Sequence, residues 1–235
     1  MLVALVREPA SSFVNALSDH PEKFSIDFKE ARRQHQIYVA ALKQAGVSVT
    51  YLPACETFAD ACFVEDTAVI LKDRALICSM KAVSRQGETE SIVEAISKYR
   101  SLEFLQPPVY IDGGDVLEAG GSFFVGISRR TNQEAVDFLR TQTQKPVIPV
   151  SVLRGLHLKS AVGCLNEETL ILDPSRVDVS AFKKFRQIKV EGKESYAANC
   201  LVIRGHVLMA QGYPWLVEKV EALGLRVLTV PMSEF

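Results

Sequence analysis

The chain has 235 residues, 27 Lys+Arg against 28 Asp+Glu, and 48% hydrophobic residues, which excludes a collagenous or largely disordered polypeptide. A formal net charge of -1 excludes the basic excess of a general nucleic-acid binder. No apolar run approaches the roughly 18 residues of a membrane span, and the start MLVALVREPA lacks the basic flank and apolar length of a signal peptide.

The first apolar arm is LVALVREP, residues 2–9. A long connection follows, and its part ALSDHPEKFS (16–25) reads first as an ordinary surface loop, with a lid as the alternative. Residues 28–45 place Ala31, Tyr38, Leu42 and Ala45 on one helical stripe, stopped by Gly46 before the strand VSVTYL. FVEDTAVILKDRALICS then reads as a β-hairpin turning near Lys72-Asp73. Residues 86–100 place Ile92, Val93, Ile96 and Tyr99 together as a helix before the strand LEFLQP. A second hairpin, YIDGGDVLEAGGSFFVGIS, turns at Gly120-Gly121. It is followed by a helix over 132–144 with Ala135, Phe138 and Leu139 inward and Thr131 as its cap, and by the strand PVIPVSV. LHLKSAVGCLNEETLILD forms the third hairpin, with a turn near Asn166-Glu167. Its helix would be the short VSAFKKF before QIKV. AANCLVIRGHVLMA forms the fourth, turning at Arg204-Gly205, and residues 215–223 carry Leu216, Val220 and Leu223 on a helix ended by Gly224 before LRVLTV.

The turns at 72, 120, 166 and 204 recur at a period of about 40–50 residues, the range of stacked or closed supersecondary arrays. Five helix-plus-strand units accompany four complete hairpins. The fifth unit has only residues 2–9, so a ring of five predicts a partner strand following SEF and a sequence that continues past Phe235. The length accommodates one domain over 1–235. Five cysteines (Cys55, Cys62, Cys78, Cys164, Cys200) are scattered and odd in number, which reads as reduced thiols in a cytoplasm.

The hairpins open on reactive residue types. The first has Asp60 upstream and Glu65-Asp66 at its start; the second opens with Asp112-Gly113-Gly114-Asp115, the third with His157-Leu158-Lys159-Ser160. If equivalent ends converge, carboxylates from two units and an imidazole from a third share one cleft. That is a pocket for a cationic substrate with a resident general acid/base. The alternatives are a solvated strand entry for Glu65-Asp66, a plain turn for the glycine pair, and a hydrogen-bonded core histidine for His157. Arg85, in the polar loop SRQGET, reads as solvated; Arg130, beside a helix start, suits a carboxylate or is a plain surface charge. The four histidines and five cysteines have no metal-ligand spacing. No P-loop or GxGxxG is present, so no metal and no cofactor are expected.

At these residues the sequence resembles the dimethylarginine dimethylaminohydrolases of the amidinotransferase/arginine deiminase (pentein) superfamily. The matching strings are REPASSFVNAL, FVEDTAVI, SRQGETE, IDGGDVL, FFVGISRRTNQEA, LHLKSAVGCL, SYAANCLVI, GYP and SEF. The resemblance implies a five-fold pseudosymmetric α/β propeller. It implies hydrolysis of Nω-methylated arginine to citrulline and an amine through a covalent cysteine thiouronium. It implies His157 as proton donor and base, with Asp112 as its acidic partner. Asp66 with Glu65 would hold the guanidinium. Asp60 and the Leu17 backbone would meet the amino-acid end, and Arg85 and Arg130 the carboxylate. The partner implied is a small molecule; a homo-oligomer stays open.

The family nucleophile lies in a motif of the type DGGLTC, several residues past SEF, so it is expected beyond Phe235; Cys200 reads as a structural thiol. Two alternatives remain. One is an arginine deiminase-like enzyme, disfavoured because Lys159 stands where deiminases carry an aspartate. The other is a non-catalytic binder of arginine analogues.

Overall fold

The N-terminal apolar arm forms β1 (Val3–Arg7), which runs parallel to β2 (Ser48–Leu52) with Val3 opposite Ser48. The computed structural model describes residues 2–19 and 25–235. Between these strands lies α1 (Phe28–Gln44), started by Asp27, whose side chain accepts from the N–H of Lys29 and Glu30. Its buried face is broader than the predicted stripe. Gln34, His35, Val39 and Ala41 join Ala31 and Leu42, while Tyr38 is half-buried.

The next four sheets share one topology. β3 (Ala68–Ile70) and β4 (Arg74–Ile77) form an antiparallel hairpin, and β5 (Ser101–Phe104) adds parallel to β4. The same order recurs in β6 (Val116–Ala119), β7 (Ser122–Ile127) and β8 (Val147–Ser151). It recurs in β9 (Val162–Asn166), β10 (Thr169–Leu172) and β11 (Arg186–Lys189), and in β12 (Leu201–Ile203), β13 (His206–Ala210) and β14 (Arg226–Val230). Gly120-Gly121 and Arg204-Gly205 take φ of 51° and 71°, and 50° and 77°, as a two-residue hairpin turn requires. The sheets are separate and open, and none closes on itself. Among the described residues, β1 alone lacks the antiparallel partner that β4, β7, β10 and β13 each have.

Helix boundaries differ from the sequence expectation for local reasons. α2 is Glu90–Ser97, not 86–100: Val83–Arg85 is a separate 3-10 turn, and Gly87 at φ 99° breaks the path between them. Tyr99 therefore lies past the helix and is exposed. α3 is Gln133–Gln142, capped by the Asn132 side chain rather than by Thr131, whose hydroxyl is engaged elsewhere. The weak third unit has only a 3-10 turn, Val179–Phe182, with Phe182 fully buried against Phe124. α4 is Pro214–Glu221, with proline at its first turn.

Five apolar clusters lie between successive sheets. Leu5 and Leu52 pack with Ala75, Ile77 and Ile92. Val69 and Leu76 pack with Val116, Val125 and Leu139. Leu117 and Phe124 pack with Val162 and Leu170. Leu165 and Ile171 pack with Val207, Met209 and Leu216. Leu208 and Val230 pack with Val6, Val39 and Leu42. Each fully buried Leu, Ile or Val contributes about 1.5–3 kcal/mol. Against this apolar background stands a group of buried charges, Asp60, Asp66, Arg85, Glu88, Asp112, Asp115 and Arg130, which burial disfavours unless they are paired. Among the described residues, no helix is long and apolar enough to cross a membrane.

Candidate active site

The charged group forms where hairpins begin. Glu65 and Asp66 sit on a 3-10 turn, Val64–Thr67, that leads into β3. Asp112 precedes a second such turn, Gly113–Asp115, that leads into β6. His157 lies in the connection from β8 to β9. Backbone contact brings these segments together. Gly114 N donates to Asp66 Oδ1 at 3.0 Å, and Lys159 N donates to Gly114 O at 2.9 Å. A Cβ on Gly114 would stand 2.4 Å from Asp66 Oδ1 and 2.9 Å from His157 Cγ, so this approach needs glycine.

His157 Nε2 lies 3.0 Å from Asp112 Oδ2 and 3.9 Å from Asp66 Oδ1. Burial alone would lower its pKa. The Asp66 charge, then the Asp112 hydrogen bond and the Asp115 charge, outweigh burial and raise it. Burial likewise works against the Asp66 charge, but His157 and Arg85 outweigh it and hold the carboxyl below its ordinary value. Arg85 Nη1 donates to Asp66 Oδ2 at 2.7 Å, while Nε and Nη2 grip Glu88 at 2.8–3.1 Å. Despite burial, Asp66 and Glu88 raise the Arg85 pKa. Three guanidinium hydrogen bonds give Glu88 the geometry of a carboxylate, and burial is what works against its charge.

Two buried polar atoms here have no hydrogen-bond partner among the described residues: Asp112 Oδ1, an acceptor, and Arg130 Nη1, a donor. Arg130 Nη1 is 3.9 Å from Asp112 Oδ2. An orphaned acceptor beside an orphaned donor fits a ligand carrying both a cationic and an anionic group.

The structure thus brings His157, Asp112, Asp66, Arg85 and Arg130 together. Leu17 N donates to Asp60 Oδ1 at 3.0 Å, which joins those two expected residues to each other. Burial raises the Asp60 pKa against the pull of Arg85 and the Leu17 N–H. Glu65 is not beside His157: its side chain is exposed and accepts from Lys159 Nζ at 3.1 Å. Residues 20–24 of the expected lid lie outside the described residues. Asp66, Asp112 and His157 offer ligand atoms within 4.8 Å of one another, a donor set that no sequence spacing announced. Arg85 already supplies a positive charge to Asp66 there.

Sequence reasoning missed Glu88 and Asp115. Glu88 fell inside the predicted 86–100 helix, where a glutamate reads as solvated. Its only sequence signal was its place in SRQGETE, three residues after Arg85.

An α/β fold that gathers an imidazole, carboxylates and arginines in one buried cluster defines the class of a hydrolytic, amino-acid-binding site. Residues 5–178 match the family model described as N,N dimethylarginine dimethylhydrolase, eukaryotic. The N(G),N(G)-dimethylarginine dimethylaminohydrolase of Pseudomonas aeruginosa is 36% identical over 98% of this chain and 92% of its own length. The crystal structure of a cysteine-to-serine variant from the same organism, in complex with citrulline, superposes with a TM-score of 0.93 at 33% identity, covering 99% of this chain and 93% of that one. A histidine-to-glycine dimethylarginine dimethylaminohydrolase carrying an S-methyl-L-thiocitrulline adduct gives a TM-score of 0.92 at 33% identity, covering 99% and 93%. The chain belongs to the dimethylarginine dimethylaminohydrolase family.

Proposed function

We propose that the protein hydrolyses Nω-methylated arginine to citrulline and dimethylamine or methylamine. The observation that carries this reading is the buried His157–Asp112–Asp66 cluster with its unpartnered Asp112 Oδ1 and Arg130 Nη1. The substrate is a zwitterion with a cationic tail. Its guanidinium meets Asp66 and Asp112, its carboxylate meets Arg130 and Arg85, and its amino group meets Asp60 and the Leu17 backbone. The alternative arginine-analogue binder needs the same contacts but not the raised His157.

A cysteine thiolate attacks the guanidinium carbon. His157, whose charged form Asp66 and Asp112 favour, gives its proton to the departing amine as the C–N bond breaks. The thiouronium is then attacked by water, whose proton His157 takes back. The C–S bond breaks, thiolate is restored, and citrulline leaves. The nucleophile in this proposal is the cysteine thiolate of the family's covalent mechanism. Cys78 and Cys62 are poor candidates, because burial pushes both thiols far up. Burial also pushes Cys200 up to about 12. The Phe235 ring packs on Phe13 and Phe63, directly before the Glu65–Asp66 turn.

We further read the chain as one domain whose five sheets ring a pseudo-five-fold axis. The five apolar clusters support this, since they join each sheet to the next and the last back to the first. Free cysteines suit a cytoplasmic setting. The test is citrulline formation by the full-length protein from asymmetric dimethylarginine and from arginine. Turnover of arginine with none of the methylated substrate rejects the reading.

A further inference from the structure

Asp115 touches none of the proposed substrate groups, yet it is fully buried and accepts three hydrogen bonds. Its Oδ2 accepts from Ser128 Oγ at 2.7 Å and from Thr131 Oγ1 at 2.8 Å, and its Oδ1 accepts from Leu158 N at 2.8 Å. The two hydroxyls are themselves acceptors. Ser128 Oγ accepts from Arg130 N at 2.9 Å and from Thr131 N at 3.2 Å; Thr131 Oγ1 accepts from Asp112 N at 3.1 Å.

The proton count fixes the chemistry. A hydroxyl has one proton and two lone pairs. Both lone pairs of Ser128 Oγ are taken by backbone N–H groups, so its proton points to Asp115. Every neighbour therefore presents hydrogen to this carboxyl, and an acceptor-only group satisfies all of them. An asparagine would either aim an N–H at Ser128 Oγ, which has no lone pair left, or release the Leu158 N–H. The carboxylate also rests on bare backbone: a Cβ on Gly126 would stand 2.6 Å from Asp115 Oδ1.

The three arms end at Asp112, at Arg130, and at the residue next to His157. We propose that Asp115 is a positioning residue that fixes Asp112, Arg130 and His157 relative to one another for hydrolysis. The inference rests on the hydrolase reading of this site. Burial pushes the Asp115 carboxyl up to about 6, against the pull of His157 and of Ser128, Thr131 and Leu158, while its three hydrogen-bond donors favour the charged form. His157 and Lys159 feel that charge, and Asp66 and Asp112 also face His157.

The test uses the full-length protein with two readouts, kcat for citrulline formation from asymmetric dimethylarginine and the NMR titration midpoint of the His157 imidazole. Asp115→Asn should lower kcat by about 10²-fold, the scale of a misplacement near 1 Å, and should move the His157 midpoint down. Asp173→Asn removes another buried carboxylate, one bonded to Ser175 and Ser195. It should lower the melting temperature and leave both readouts alone. An Asp115→Asn protein with kcat within twofold of wild type and an unmoved His157 midpoint overturns the inference. If that variant does not fold, Ser128→Ala and Thr131→Val, which keep the carboxylate, decide: wild-type kcat in both overturns it. If wild type forms no citrulline, the hydrolase reading fails. The His157 midpoint in Asp115→Asn then judges the Asp115 coupling alone, and an unmoved midpoint overturns that as well.

Discussion

His157 and Asp112 are 45 residues apart in the chain, yet Nε2 of one lies 3.0 Å from Oδ2 of the other. That contact orients the imidazole and stabilises its charged form, as a group that must give a proton to an amine and then take one from water requires. Replacing His157 by glycine should lower kcat by about 10²–10⁴-fold. The arginine contacts remain, so substrate affinity should change little. Steady-state citrulline assays on the full-length protein check both parts; an unchanged kcat removes His157 from the chemistry.

The same contact makes stability depend on pH. Burial opposes the His157 charge, but Asp66 and the Asp112 hydrogen bond outweigh it and raise the folded pKa above the ordinary 6.5. A raised folded value means the stabilisation is full below 6.5 and is lost as pH rises through the folded pKa. Asp66 works in the other direction, because its folded pKa is depressed below 3.8; its contribution is present above 3.8 and lost as pH falls through the folded value. The urea midpoint of wild type should therefore fall on the alkaline side of 6.5. In Asp112→Asn, where His157 loses its partner, that alkaline slope should flatten. An identical slope in both proteins refutes the assignment.

The hairpin skeleton was readable because its signals are local. Gly120-Gly121 and Arg204-Gly205 sit between β-prone arms, and such turns depend on few neighbours. The 86–100 expectation runs past the helix because its start is set from outside: Arg85 is drawn inward to Asp66, Glu88 is drawn inward to Arg85, and Gly87 bends the chain between them. The grouping of Asp66, Asp112 and His157 followed from the repeat, since equivalent hairpin starts meet. Glu65 joins them in the sequence through its place beside Asp66 in FVEDTAV and the family resemblance, whereas in the structure its side chain is exposed and its charge is met by Lys159. Asp115 was unreadable, for its meaning lies in Ser128, Thr131 and Leu158, three partners from two other segments.

The two arginines should behave differently when removed. Arg85 is 1% exposed and holds both Asp66 and Glu88, so Arg85→Ala strips the buried Glu88 of its guanidinium and leaves Asp66 with His157 as its remaining cationic neighbour. Breaking a buried pair this way costs about 3–5 kcal/mol, which chemical denaturation should register. Arg130 Nη1 has no hydrogen-bond partner among the described residues, with Asp112 at 3.9 Å, and has a donor left to meet a carboxylate. Losing one charge-assisted hydrogen bond is worth about 1.5–3 kcal/mol, so Arg130→Ala should raise KM by about 10–100-fold with a small effect on stability. Equal stability losses in the two variants would refute this division.

Gly114 tests whether the hairpin starts must touch. Its φ lies outside the left-handed region that glycine favours, so alanine meets no backbone strain there and the whole effect is steric. The new Cβ would stand 2.4 Å from Asp66 Oδ1 and 2.9 Å from His157 Cγ. Neither neighbour yields easily: Asp66 is held by Arg85 and by Gly114 N, and His157 by Asp112. The turn must therefore move away from β3, carrying Asp112 with it. Overpacking of this kind costs about 1–3 kcal/mol, which leaves the protein folded. A shift near 1 Å between Asp112 and His157 should cost about 10²-fold in kcat. Gly114→Ala should thus retain a cooperative melt, lowered by several degrees, with turnover largely lost. Wild-type kcat in a folded Gly114→Ala protein would mean that the close contact of these two turns is not what aligns the imidazole with its carboxylates.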